Sequence, residues 1–298
     1  MSEKGFVVEK GAGLAPFLSQ ALCHVALGPF VGVRRTVRAC DDSGMATLLP
    51  GAEAFEHVGG SIGVLLCHGF TGSPQTLRPW AEYLAGQGLT VSLPRLPGHG
   101  TTWQDMAHTG WTDWYAEVDA ALVALAGRTE QVFLAGLSMG ACLALRLAEV
   151  HGESVNGTPL RGLVLVNPSL APDTKLFLLA PVLKHVIRSM PGIASDIKKP
   201  GAAELGYQRV PVKAAATMPA LWKATARQLG QVRQPILVYR STVDHVVGAA
   251  SMPVLLGAVP ADQLTVLPLP DSYHVATLDN DAQTIFEGSA KFVREHAT

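Results

Sequence analysis

Five residues, Gly136-Leu137-Ser138-Met139-Gly140, join an apolar run, Val132-Phe133-Leu134-Ala135, to a helical one, Ala141-Cys142-Leu143-Ala144-Leu145-Arg146-Leu147-Ala148. A strand that turns into a helix this sharply strains the backbone at the apex, and both elements then run close past the turn. Glycine tolerates that crowding, and Gly136 and Gly140 flank the apex at the two places that need it. The apex residue also gains a chemical opportunity. A serine hydroxyl is a poor nucleophile at its ordinary pKa, so it must be presented to a base, with hydrogen-bond donors ready for the oxyanion that forms. Ser138 is therefore a candidate nucleophile; the plainer alternative is a helix cap after a buried strand.

In elbows of this kind the acid and then the histidine follow the serine along the chain. The run Pro235-Ile236-Leu237-Val238-Tyr239-Arg240 reads as a buried strand, and it places Asp244 just beyond the strand's C-terminal end. A second short strand, Leu264-Thr265-Val266-Leu267-Pro268, leads to a loop that carries His274. Loops at the carboxyl ends of a parallel sheet converge on one crevice. His274 would take the Ser138 proton, and Asp244 would hold the imidazole in the useful tautomer. Two rivals stand beside them. His245 neighbours Asp244 but points apart from it in an extended loop, and Asp271 lies three residues before His274, where a turn or cap role fits. Asp244 has its own plain alternative, a solvated loop aspartate.

The oxyanion donors should be the Met139 N–H, directly after the nucleophile, and an N–H from the loop after an early strand. Ile62-Gly63-Val64-Leu65-Leu66-Cys67 is such a strand, and it ends in His68-Gly69-Phe70-Thr71-Gly72-Ser73-Pro74. Phe70 is the expected second donor. His68 reads as a loop support, and the whole segment has the alternative of an ordinary glycine-rich turn.

Taken together, these residues resemble the bacterial carboxylesterase and monoacylglycerol lipase family of α/β-hydrolases. Besides the elbow, Leu65-Leu66-Cys67-His68-Gly69-Phe70-Thr71-Gly72 resembles the family's oxyanion strand and loop, and Pro94-Arg95-Leu96-Pro97-Gly98-His99-Gly100 its second glycine loop. Asp244-His245-Val246-Val247 and Ser272-Tyr273-His274-Val275-Ala276-Thr277-Leu278-Asp279 resemble its acid and histidine segments. The resemblance runs from about residue 48 to the C-terminus. It implies hydrolysis of carboxylic esters through an acyl-enzyme, without metal or organic cofactor. Ala141, where relatives often carry glycine, is a harmless departure in a first helical turn. Thioester, lysophospholipid and carbon–carbon cleavage remain open on the same residues, as does a non-catalytic protein that kept the fold. Related enzymes tend to begin near Leu49-Pro50-Gly51-Ala52-Glu53-Ala54-Phe55, so Met45 is read as the natural start.

The fold class expected is α/β: a mostly parallel central sheet flanked by helices, with strands near 62–67, 89–93, 131–135, 162–167, 235–240 and 264–268. Helical spacing marks Pro79–Ala85 and Trp114–Leu122, and Trp111, Trp114 and Tyr115 read as helix-to-sheet packing. The stretch from 168 to 234 is far longer than a βα crossover needs, which points to a helical cap over 170–230 inserted into a core of 45–169 and 231–298. Leu176 to Met190 is strongly apolar, and it either faces an acyl chain or lipid surface or packs on the cap's own core. Ala214 to Trp222 is expected to return a helix over the site. Residues 1–44 read as a loosely attached extension, with weak membrane contact as the alternative there and at the cap.

A formal net charge of −1 over 298 residues favours neither a nucleic-acid partner nor an anionic membrane on global electrostatics, so no nucleic-acid partner is expected. The partner expected is a small ester or lipid substrate. Cys23, Cys40, Cys67 and Cys142 show neither metal-ligand nor disulfide spacing, so reduced thiols in a cytoplasmic protein are the simplest reading.

Overall fold

Apolar side chains that alternate between two covered faces build the central sheet. The computed structural model describes residues 47–172, 179–180, 182–192 and 195–298. Its strands are β1 (Phe55–His57), β2 (Ile62–Cys67), β3 (Thr90–Leu93), β4 (Gln131–Leu137), β5 (Ser154–Val155), β6 (Thr158–Val166), β7 (Ser189–Pro191), β8 (Arg209–Pro211), β9 (Ile236–Ser241) and β10 (Leu264–Leu269). Among the described residues the main sheet runs β1-β3-β2-β4-β6-β9-β10, with β5 paired to β6. It is parallel except where β1 meets β3 and β5 meets β6. The helices named below are α1 (Arg78–Gly86), α2 (Trp103–Met106), α3 (Trp111–Ala126), α4 (Met139–His151), α5 (Val212–Ala215), α6 (Met218–Gln228), α7 (Ser251–Ala258) and α8 (Ala282–His296).

Successive residues of each central strand feed opposite layers, as the two-residue period requires. Leu65, Leu134, Leu163 and Val238 pack with Trp114 and Val118 of α3, Leu143 of α4, Leu221 of α6 and Leu255 of α7. Leu66, Phe133, Val164 and Tyr239 pack on the other face with Trp80 and Leu84 of α1 and with Ile285 and Ala290 of α8. Helices on both faces are the usual cover of a parallel sheet, and they explain strands that read as continuous apolar runs. Cys67 and Cys142 are buried and unbridged, and burial pushes each thiol up to about 12.

Three features depart from the sequence expectation. Strand β6 begins at Thr158 rather than 162, because Asn156 (φ 49°) and Gly157 (φ 92°) turn the chain back from β5. Positive φ at both central residues is the signature of a tight hairpin turn. The edge strand β1 was also missed, being three residues long. Thirdly, the segment between β6 and β9 is not purely helical. Strands β7 and β8 pair antiparallel there, Met190 opposite Val210, and each is too short to show a period in sequence.

Helix α6 forms where the expected returning helix lies, but its buried face joins the core behind α4. Leu221 and Trp222 are part of that core, and the Cys142 Sγ–H donates to Thr225 Oγ1 at 3.5 Å. The extension 1–44 lies outside the described residues, as do Leu176, Phe177 and Leu178 of the apolar segment. No helix among the described residues is long and apolar enough to cross a membrane.

Candidate active site

Ser138 sits at the apex between β4 and α4 with φ 57° and ψ −118°, in the left-handed half of backbone space that a non-glycine residue avoids. The surroundings hold it there. The Ser138 N–H donates to Val166 O at 2.9 Å, and its carbonyl accepts from Ala141 N at 3.1 Å and Ser169 N at 3.2 Å. The flanking glycines are required by distance. A Cβ on Gly140 would lie 1.9 Å from Cys67 O, and one on Gly136 would lie 2.5 Å from the Gly140 carbonyl carbon. The end of β2 and the first turn of α4 therefore touch backbone to backbone beside the serine.

That contact brings the loop after β2 next to Ser138, since a Cβ on Gly69 would stand 3.6 Å from the Ser138 Cβ. Met139 opens α4, and the first N–H groups of a helix have no acceptor within it. Phe70 lies on the adjoining loop turn, fixed from behind by an edge-to-face contact with Trp114 at 5.6 Å. Trp114 in turn donates from Nε1 to Pro97 O and Thr109 Oγ1, each at 3.1 Å.

His68 is a support, as its sequence context suggested. Its Nε2 accepts from Leu96 N at 3.2 Å, so Nδ1 carries the proton and donates to Gly69 O at 3.0 Å. Burial drives its pKa down to about 4, against a smaller opposing effect of the Gly69 carbonyl. A neutral ring thus ties the two glycine loops together. His99, 5.1 Å away, is likewise pushed far down by burial and by its histidine neighbour.

The acid and histidine segments meet at the ends of β9 and β10. Nδ1 of His274 pairs with Asp244 Oδ2 at 3.0 Å, with both side chains nearly buried. Asp244 Oδ1 accepts from Val246 N at 2.9 Å and Val247 N at 2.8 Å, and Oδ2 also receives Arg240 Nη1 at 2.6 Å. Burial pushes the Asp244 carboxyl up, but the His274 hydrogen bond and charge, the Val247 N–H and the Arg240 guanidinium outweigh it and hold its pKa below the usual value.

The rivals are engaged elsewhere. The Asp271 carboxylate is exposed and paired with Lys198 Nζ at 2.6 Å. Nδ1 of His245 pairs with Asp196 Oδ1 at 2.7 Å.

Three residues that sequence reasoning passed over hold this pair in place. Asn167, at the end of β6 with φ 45°, donates from Nδ2 to Ser241 Oγ at 2.9 Å and to His274 O at 2.8 Å, while its Oδ1 accepts from Ser241 N at 2.8 Å. Ser241 Oγ donates onward to Tyr273 O at 2.8 Å. Arg240 braces the acid loop through the carbonyls of Val247 and Gly248. Their one sequence signal is position: each lies at the C-terminal end of a parallel strand.

Ser138 and His274 open on one cavity of about 290 Å³. Leu137, Val246 and Val275 supply apolar wall from the core, and Ala180, Leu183, Met190, Val210, Val212 and Ala215 supply it from the segment between β6 and β9. That segment is apolar on both sides. Ala180 and Leu183 face the cavity, whereas Leu179, Val182 and Val186 are exposed. Glu204 is the acidic exception on the wall with Asp196, and burial pushes its carboxyl up despite the nearby His274.

A family model described as Hydrolase_4, serine aminopeptidase S33, matches residues 62–281, a span that includes Phe70, Ser138, Met139, Asp244 and His274. The chain belongs to this family. A thermostable monoacylglycerol lipase from Bacillus sp. (strain H-257) is 38% identical to this hydrolase over 250 residues, 84% of this chain and 97% of the relative. A carboxylesterase from Bacillus subtilis (strain 168) is 24% identical over 249 residues, 81% and 96% of the two chains. Among solved structures, one of the metagenome-derived lipolytic enzymes LipS and LipT superposes with a TM-score of 0.79 at 38% identity, over 84% of this hydrolase and 100% of that chain. The fold is that of the α/β-hydrolases, a mostly parallel sheet with helices on both faces.

Proposed function

We propose that this protein, a carboxylic ester hydrolase by family, cleaves esters of apolar acyl chains such as monoacylglycerols, with Ser138 as nucleophile, His274 as base and Asp244 as its orienter. The observation that carries the reading is that His274, paired with the buried Asp244 at 3.0 Å, opens on the same apolar cavity as the strained Ser138. Ser138 Oγ attacks the ester carbonyl carbon while His274 Nε2 takes its proton. The carbonyl oxygen becomes an oxyanion, and the Phe70 and Met139 N–H groups donate to it. Collapse of the tetrahedral intermediate breaks the bond to the alcohol, which leaves with the proton from His274. Water then adds to the acyl-enzyme by the same route and releases the acid and free Ser138.

The apolar wall supports an apolar acyl group, since burying it there removes hydrocarbon from water at about 25 cal/mol per Å². Two of the relatives named above, the monoacylglycerol lipase and the metagenome-derived enzyme, are described as lipases or lipolytic, which favours oxygen esters of lipids over thioesters. In this reading 45–169 and 231–298 are the catalytic core, 170–230 is the cap, and the buried thiols accord with a cytoplasmic location. Initial rates on p-nitrophenyl esters from acetate to palmitate and on a monoacylglycerol, with fluorophosphonate labelling, test it. Turnover by wild type and loss of both turnover and labelling in Ser138→Ala support the proposal. An inert wild type, or an active Ser138→Ala, overturns it.

A further inference from the structure

Asp196 lies in the segment between β6 and β9, outside the Asp244–His274 pair, yet it touches both loops of that pair. Its Oδ2 accepts from two backbone N–H groups, His245 N at 3.1 Å and His274 N at 3.2 Å. One oxygen thus bridges the residue after the acid and the histidine itself. The other oxygen takes His245 Nδ1 at 2.7 Å, and the Asp196 carbonyl accepts from Val275 N at 3.1 Å. The side chain is 8% exposed, so these bonds replace most of the water that a carboxylate would otherwise hold.

The local backbone is shaped to deliver this carboxylate. Ser195 adopts φ 57°, and Ile197 N donates to Ser195 O at 2.8 Å, which folds a three-residue turn around Asp196. Ser195 in a sparsely populated conformation costs energy that persists only where surrounding bonds over-determine it. Glu204 supplies them, its N–H donating to Ser195 Oγ at 3.0 Å and its Oε2 accepting from Ser195 N at 3.4 Å. Beyond the turn, Asp279 accepts from Lys198 N at 2.7 Å and Lys199 N at 2.9 Å, so the strap 195–199 is tied along the histidine loop at both ends.

We propose that Asp196 is a positioning residue for the reaction: a carboxylate donated by the cap that clamps the Asp244 and His274 loops against each other. The proposal rests on His274 being the base. Asn167 ties the two loops from the core side, and Asp196 ties them from the cap side. The cap is then part of the catalytic geometry as well as of the pocket wall.

Steady-state kinetics on a p-nitrophenyl ester, fluorophosphonate labelling rates and thermal unfolding of Asp196→Ala, Asp196→Asn and Asp196→Glu test this. Asp196→Ala should lower kcat at least about tenfold, with KM within about twofold, and should slow labelling in step, because a small misplacement of the base is costly. Asp196→Asn should recover most of kcat, since its amide oxygen can still accept both backbone N–H groups. Asp196→Glu keeps the charge but carries it one methylene further, so it should behave like Ala and covers the case in which Ala does not fold. Wild-type kcat in the Ala or Glu variant, a loss confined to KM, or an Asn variant as poor as Ala overturns the clamp while wild type remains an active hydrolase. A wild type that neither turns over nor labels overturns the hydrolase reading together with it.

Discussion

The cavity has two sides, built in opposite ways. The core side is regular: parallel strands run in register, Leu137 beside Val166 and Val166 beside Tyr239, and their ends hand the chain to loops held by hydrogen bonds such as Ser241 N–H to Asn167 Oδ1. The other side is a patchwork of two paired three-residue strands, a four-residue helix and an irregular strap. Reacting groups need placement to within a fraction of an ångström, and strand ends provide it. A substrate wall needs only apolar surface and shape, which irregular chain provides equally well. Substitutions on the core side should therefore strike the rate of reaction, and those on the patchwork wall outside the strap 195–199 should strike the choice of substrate.

The largest effect is expected at the elbow. Ser138→Ala should lower kcat by about 10⁴-fold or more while the thermal unfolding midpoint stays close to wild type, because the same backbone is retained. Ester hydrolysis together with differential scanning calorimetry checks both halves. A variant that loses activity only through unfolding would place Ser138 with the structural residues and break the contrast.

Asp244→Asn should follow at on the order of 10⁴-fold in kcat, since an amide can hold the imidazole in the wrong tautomer. Asp244 also makes a prediction in pH. Its folded pKa is lowered on balance, by the His274 hydrogen bond and charge, the Val247 N–H and Arg240 acting against burial. A carboxyl lowered in the folded state contributes stability that is present above its unfolded pKa, near 4, and is lost as pH falls through the folded value. Urea unfolding from pH 6 down to pH 2 should show a steeper acid loss for wild type than for Asp244→Asn. Equal slopes would mean that the carboxylate gains nothing from its partners.

How far this contrast was legible in the sequence differs between the two sides. The strands of the core carry long apolar runs, and the elbow carries glycines that nothing else could replace: the 1.9 Å approach at Gly140 is a backbone collision, so the letter itself records the geometry. The candidates Ser138, Asp244 and His274 were picked out by the order that elbows of this kind carry and by their places just past strand ends. Asn167, Ser241 and Asp196 were illegible because their roles depend on which distant loops they reach, 74 residues apart for Asn167 and Ser241 and 78 for Asp196 and His274. No local period encodes such a pairing. The paired strands β7 and β8 escaped for a different reason, as three residues per strand cannot show alternation.

Asn167→Ala tests the core clamp at the next level down. It removes the acceptor for Ser241 N and the donor to His274 O, and leaves both buried groups unpaired. A stability loss of about 2–4 kcal/mol follows from two unsatisfied buried polar groups. A kcat loss on the order of tenfold to a hundredfold should accompany it, with KM little changed. Were KM to rise instead with kcat intact, the residue would belong to the substrate wall, and the division between the two sides would fail at its centre.

The smallest effect in rate should come from the wall itself. Leu183 and Met190 reach the cavity from the patchwork side and take no part in the hydrogen bonds that hold Asp244 and His274. Leu183→Trp adds bulk to the cavity and shortens it without touching those bonds. Hydrolysis of p-nitrophenyl acetate should stay within about twofold of wild type, because an acetyl group needs little of the wall. The rate on p-nitrophenyl palmitate should fall by roughly ten- to two-hundredfold, the range that one to three kcal/mol of lost apolar contact gives. The ratio of the two rates is the quantity to follow, since it cancels any change in enzyme concentration or folded fraction. A uniform fall across the series would instead show that the wall and the reacting groups are mechanically one unit, as the Asp196 clamp leads one to expect for residues 195–199 but not for Leu183.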